Sequence, residues 1–179
     1  KNLTFKYNDK ELFNNQEILI KKNNLILLSG KNGSGKTTII NILLGLISPS
    51  NLKILIDGEN QNFFNFKKNK FKTSYVPAKP FILNDTIKNN IIFFDKEKKH
   101  FFQKISEQKW FKDFIEKFPN RYDKMITENG KNISEGEKQK IALARALYNS
   151  PSILILDEPT SNLDLKSKEN FYEMIYEMK

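Results

Sequence analysis

The residues with the most evident chemistry are Gly30-Lys31-Asn32-Gly33-Ser34-Gly35-Lys36-Thr37, spaced G-x-x-x-x-G-K-T. Glycines let a backbone wrap closely around phosphate oxygens and take dihedrals closed to other residues. Consecutive N–H groups and a following helix N-terminus then make an anion-binding nest. Lys36 supplies a mobile charge for the outer phosphates, and the Thr37 hydroxyl is placed to bind Mg²⁺. The candidate phosphate contacts are Gly30, Asn32, Gly33, Ser34, Gly35, Lys36, Thr37 and Thr38. A second set stands at Ile153-Leu154-Ile155-Leu156-Asp157-Glu158. Four apolar residues followed by two acids fit a buried strand delivering carboxylates to the end of a sheet. Downstream of a phosphate-binding loop, the first acid holds the Mg²⁺ shell. The second orients or deprotonates an attacking water, provided it lies within hydrogen-bond reach of it.

Regular elements must position these groups. Leu25–Leu28 is a short apolar run suited to a buried strand leading into the loop, and Thr38–Leu44 has the density of a packed helix, ended by Ser48-Pro49-Ser50. Upstream, Leu3–Tyr7 alternates as a half-buried strand. Turns at Asn8–Lys10 and Asn14-Asn15 are followed by a strand at Glu17–Ile20 and a turn at Lys21–Asn24. Leu52–Ile56 reads as a strand closed by the turn pair Asp57-Gly58. Residues 60–72 are rich in Phe, Lys and Asn and give no clear period. Thr73–Val76 is a strand stopped by Pro77. From Asp85 the pattern turns helical: Asp85 caps 86–91, and 100–109 and 111–118 have helical spacing up to Pro119. Ser134 caps a helix over 135–148, with Ile141, Leu143, Ala144 and Leu147 on its apolar side. A terminal helix covers 166–178.

Composition narrows the classes. The 179 residues suffice for one domain with a subdomain. With 0 cysteines, disulfides, thiolate metal sites and cysteine nucleophiles are excluded. No apolar run approaches the roughly 18 residues of a spanning helix. The N-terminus reads as a strand rather than a signal peptide. The net charge of +9 comes from lysines scattered among Asn, Ile and Phe, not from a stripe, so no nucleic-acid face is expected. The single histidine, His100, reads as a surface residue.

Further motifs follow the loop in order. Ile133-Ser134-Glu135-Gly136-Glu137 leads into Lys138-Gln139-Lys140-Ile141-Ala142-Leu143-Ala144-Arg145-Ala146-Leu147, and Pro159-Thr160-Ser161-Asn162-Leu163-Asp164 follows the two acids. With these, the chain from Phe5 to Asp164 resembles the nucleotide-binding domain of ABC transporters. Segments 80–91 and 127–130 resemble the exporter form. The resemblance implies an α/β fold: a P-loop NTPase core with an antiparallel β subdomain and an α-helical subdomain. It implies one ATP-binding domain over 1–179, with its core at 1–78 and 151–179, its helical subdomain at about 79–150, and an incomplete C-terminus. It implies ATP and Mg²⁺ as cofactors, with Tyr7 stacking on adenine. It also implies a head-to-tail dimer in which Ser134, Gly136 and Glu137 close the site of a second ABC domain. Thr37 and Asp157 would organise Mg²⁺ and Glu158 would polarise water. Hydrolysis would drive a transmembrane partner, for export or lipid or peptide flipping, at the cytoplasmic face of the inner or plasma membrane.

The departures bear on activity. The family's glutamine after Tyr75-Val76-Pro77 is Ala78, whose methyl can neither donate nor accept a hydrogen bond. The signature carries Glu135 for glycine and Glu137 for glutamine. Two carboxylates near a partner's γ-phosphate weaken binding unless they point away or pair with cations, for which Lys138 and Lys140 are near. A regulatory half-site that binds ATP with little hydrolysis is therefore the alternative. A soluble ABC ATPase acting on nucleic acid or ribosomes is the third reading.

Overall fold

The computed structural model describes residues 1–7, 10–63, 73–93, 95, 99–128 and 130–178. Two compact units are resolved, residues 1–71 and 72–178.

In the first unit, β1 (Leu3–Tyr7) pairs antiparallel with β2 (Lys10–Gln16). Strand β2 occupies residues expected to hold a turn. Asn15 has φ 50°, which asparagine tolerates, and the ladder is irregular between Leu3 and Lys6. The asparagine pair therefore serves an irregular ladder rather than reversing the chain. The expected strands at Glu17–Ile20 and Leu25–Leu28 have no ladder partner among the described residues. An apolar run this short becomes a strand only where a neighbour accepts its hydrogen bonds. Here its residues are exposed, Leu27 by 86%.

Helix α1 (Lys36–Leu43) buries Thr38, Ile40 and Ile42. Leu3, Phe5, Phe13 and Ile42 form the core of this unit. The helix ends at Gly45 (φ 70°), earlier than the Ser-Pro signal. Gly45 N–H donates to Ile42 and Leu46 N–H to Asn41, the paired bonds of a Schellman stop. A hairpin, β3 (Ile54–Ile56) and β4 (Glu59–Gln61), turns at Asp57 and Gly58, both at positive φ as a two-residue turn of this kind requires.

In the second unit, β5 (Thr73–Val76) and β6 (Ile153–Leu156) pair in parallel, Tyr75 opposite Ile155. Around them lie α2 (Ile87–Ile92), α3 (Lys99–Ser106), α4 (Lys109–Ile115), a 3₁₀ turn (Arg121–Asp123), α5 (Glu135–Tyr148) and α6 (Leu165–Glu177). The apolar side of α5 supplies Ile141, Leu143 and Ala144 to a core shared with Phe111 and Phe114 of α4 and with Phe171 and Met174 of α6. Strand β6 thus pairs with β5, which lies in the same expected core (1–78 with 151–179), and α6 shares buried contacts with α4 and α5.

One polar side chain is fully buried at the centre of a hydrogen-bonded cluster. Asn90, 0% exposed, donates to the carbonyls of Leu83 and Thr86 and accepts from Leu83 N–H at 2.8 Å. Arg145 of α5 donates to the Asn90 side chain, the Asn90 carbonyl and the Phe81 carbonyl. Burial lowers the Arg145 pKa from its ordinary value. Thr86, not Asp85, caps α2. Asp85 instead accepts from Thr86 N–H and the Asn89 amide.

Candidate nucleotide-binding site

The loop of the first unit has the geometry its glycines promise. Gly33 and Gly35 sit at φ 78° and 94°, and Gly35 is the N-cap of α1. A Cβ on Gly35 would come within 2.5 Å of the Phe13 ring, and one on Gly30 within 2.7 Å of Ser34 Oγ. At Gly35 both space and backbone conformation require glycine, whereas at Gly30 the close atom is a serine hydroxyl that can rotate away. Lys36 Nζ donates to the carbonyls of Gly30 (2.7 Å) and Lys31 (3.0 Å), so the ammonium is folded over the loop rather than extended into solvent. Asn32, Ser34 and Thr37 are exposed, while Thr38 is buried under the helix. At Gly33 a Cβ would meet nothing within 4 Å, and a glycine-rich turn opening a helix suits a phosphate group. Tyr7 ends β1, but its side chain lies outside the described residues.

In the second unit, β6 delivers the two acids. Asp157 N–H donates to the Val76 carbonyl at 2.9 Å, extending the β5–β6 ladder by one bond. Asp157 Oδ2 accepts from the Tyr75 hydroxyl at 2.8 Å. Burial, then the bond to Asp157 and its charge, push the Tyr75 pKa up to about 12. Glu158 is exposed and has φ 45°, a conformation few glutamates adopt. The turn it begins is closed by Ser161 N–H on the Glu158 carbonyl. Asp164 caps α6 by accepting from Ser167 N–H and its hydroxyl, bonds that lower its pKa.

At the start of α5 both carboxylates have local partners. Ser134 and Glu137 form a capping box: Glu137 N–H donates to Ser134 Oγ, and Glu137 Oε2 accepts from Ser134 N–H at 2.7 Å. Glu135 pairs with Lys138 at 2.7 Å. Each carboxylate is thus engaged within the helix's own first turn. Lys140 has its pKa lowered by burial and by Lys117, against the opposing effect of Glu137 and Asp113. Gly136 has room for a Cβ, its nearest contact being Leu163 at 3.6 Å.

The position of the missing glutamine is held by backbone. The Ala78 carbonyl accepts from Gln139 Nε2 at 2.8 Å and from Asn162 Nδ2 at 3.3 Å. This joins the segment after β5 to the signature helix and to the turn after Glu158. Gln139 is 3% exposed, and its Oε1 has no partner among the described residues. Sequence reasoning missed Tyr75, Gln139 and Asn162 as supports. Strand register alone would have found the first, since residues two apart share a face. His100 is exposed, as expected.

A glycine cradle with a folded-back lysine opening a helix, and a strand ending in two acids, define a P-loop NTPase domain of the α/β class. Residues 13–161 match the ABC transporter family. The ATP-dependent lipid A-core flippase of Haemophilus influenzae (strain 86-028NP) is 34% identical, over 100% of this chain and 31% of its own length. Human ATP-binding cassette sub-family B member 5 is 34% identical, over 94% of this chain and 14% of its own length. A bacterial Atm1-family ABC exporter solved with ATP bound superposes with TM-score 0.75 at 29% identity, covering 98% of this chain and 31% of that one. The chain spans about a third of the length of the first of these relatives (31%). This chain belongs to the ABC transporter family. Among the described residues, no helix is long and apolar enough to cross a membrane.

Proposed function

We propose that residues 1–179 form a single ABC domain that binds ATP with Mg²⁺, hydrolyses it, and powers export or lipid or peptide flipping by a membrane ABC transporter. The observation that carries this reading is the loop Gly30–Thr37, with its left-handed glycines and the Lys36 ammonium held over it. The loop N–H groups and Lys36 bind phosphates, with Asn32, Ser34 and Thr38 among the loop contacts, and Tyr7 stacks on the base. Mg²⁺ suits the hard oxygen donors of Thr37 and Asp157 and neutralises charge on the phosphates when bound. Glu158 accepts a proton from, or orients, the attacking water. Ser134, Gly136 and Glu137 face the nucleotide of a second ABC domain in a head-to-tail dimer. Glu137, being occupied with Ser134 N–H, contributes there through the cap it forms rather than through a free carboxylate. The names of the flippase and exporter relatives support a transmembrane partner at the cytoplasmic face of the inner or plasma membrane.

Ala78 favours a second reading, an ATP-binding half-site with little turnover, because no side chain at that position can hold the water. ATP affinity and steady-state phosphate release, measured on one preparation of wild type and Glu158→Gln, separate the two. Hydrolysis predicts equal affinity and a turnover loss of roughly 10²–10⁴-fold in the variant. Tight binding with equal turnover in both would remove Glu158 from its role and leave the half-site. Absence of ATP binding would overturn both readings.

A further inference from the structure

We infer that Tyr75 is a positioning residue for the metal-binding carboxylate, fixing Asp157 so that a single oxygen, Oδ1, faces Mg²⁺. The inference rests on the proposed role of Asp157 as a metal ligand. The strand register brings the two residues together. Tyr75 lies opposite Ile155, and Asp157, two residues further, shares the face of Ile155. The phenol reaches diagonally across the ladder and donates to Oδ2 at 2.8 Å. The carboxylate's main chain is fixed on the same neighbour strand by the bond from Asp157 N–H to the Val76 carbonyl at 2.9 Å. Backbone and side chain are thus both tied to β5, so neither the position nor the rotation of the carboxylate is free. An ionised carboxylate has two acceptor oxygens with two lone pairs each, and the phenol engages one of those oxygens, Oδ2. The other retains its full capacity toward a cation or a cation-bound water.

Such outer partners orient a metal ligand, and their loss typically costs about 10–100-fold in metal affinity. Tyr75 is 38% exposed, so its ring contributes less packing than a core aromatic, and Tyr75→Phe keeps most of that packing. The hydroxyl, not the ring, is the proposed working part.

The test measures affinity of the 179-residue chain for a fluorescent ATP analogue, with Mn²⁺ and separately with EDTA. The ratio of the two affinities is the metal-dependent gain. In Tyr75→Phe the gain should fall about 10-fold or more, with affinity in EDTA and the melting temperature unchanged. Asp157→Asn, run in parallel, should lose the gain altogether. If Asp157→Asn keeps the wild-type gain, Asp157 is not a ligand, and the underlying reading falls together with the inference. If Asp157→Asn loses it while Tyr75→Phe keeps it, the role of Tyr75 alone is overturned. Should Tyr75→Phe melt lower than wild type, Tyr75→Gln decides. A gain retained with its amide donor supports the hydrogen bond, and a gain lost to the same degree as in Tyr75→Phe overturns it.

Discussion

Two buried amides in the second unit should respond very differently to removal. Asn90 is fully satisfied and Gln139 is half satisfied, though both are 3% exposed or less. Asn90→Leu keeps the shape but strips two donors of their acceptor, Leu83 N–H at 2.8 Å and an Arg145 guanidinium nitrogen at 3.1 Å. The Leu83 carbonyl still accepts from Asp85 N–H, and the Thr86 carbonyl from Asn90 N–H, so neither acceptor is orphaned. At about 2 kcal/mol for each stranded donor, the loss is about 4 kcal/mol. A domain holds only about 5–15 kcal/mol in total, so this is a large fraction. Gln139→Met also removes two bonds, to the Pro77 and Ala78 carbonyls, at about 1 kcal/mol each. It also removes the unpartnered Oε1, whose burial costs about 2 kcal/mol. The Ala78 carbonyl keeps Asn162. The net change is then within about 1 kcal/mol of zero. Urea unfolding followed by tryptophan fluorescence of Trp110 reads both. With a slope of about 2 kcal/mol per molar, the Asn90→Leu midpoint should drop by about 2 M and that of Gln139→Met by under about 0.5 M. Equal drops for the two variants would refute the reasoning, because satisfaction would then not be what distinguishes them.

Gly35→Ala should lower first-unit stability by about 3 kcal/mol, from positive φ and from the contact with Phe13, and should abolish ATP-analogue binding. A melting curve and a fluorescence titration check it, and an unchanged melting temperature contradicts the assigned backbone. Asp164, whose pKa is lowered by its cap, stabilises the fold above its ordinary value of 3.8 and loses that contribution as pH falls through the lower folded value. Asp164→Asn should therefore show a shallower fall in melting temperature between pH 5 and 2 than wild type, values spanning about the carboxylate range.

Where local chemistry decides, the sequence was readable. Ser134 with a glutamate three residues on is a capping box in any context, and α5 begins and ends where the pattern says. Thr73–Val76 and Ile153–Leu156 are strands over the expected residues. The loop's conformation follows from glycine spacing. The errors lie where partners decide. Asn14-Asn15 carries a turn signal, yet Phe13 packs into the first core and draws the pair into β2. Leu25–Leu28 has strand composition, but composition does not supply a ladder. Helix ends in 100–118 shifted by a few residues, because the break between α3 and α4 at Glu107-Gln108 carries no glycine or proline. The tie from Tyr75 to Asp157 joins residues 82 apart in the chain, and only strand register brings them together.

The exposed run Leu25-Ile26-Leu27-Leu28 has a colloidal consequence. It is uncharged, free of proline and β-compatible, the composition that nucleates intermolecular stacking when left open. Lys21 and Lys22 precede it and Lys31 follows, placed as charged gatekeepers are. Their mutual repulsion keeps copies apart only while it reaches across the gap. The screening length shrinks from about 10 Å at 0.1 M salt to about 3 Å at 1 M. High salt therefore removes the protection and leaves the stickiness, so the chain keeps best in dilute, low-salt buffer.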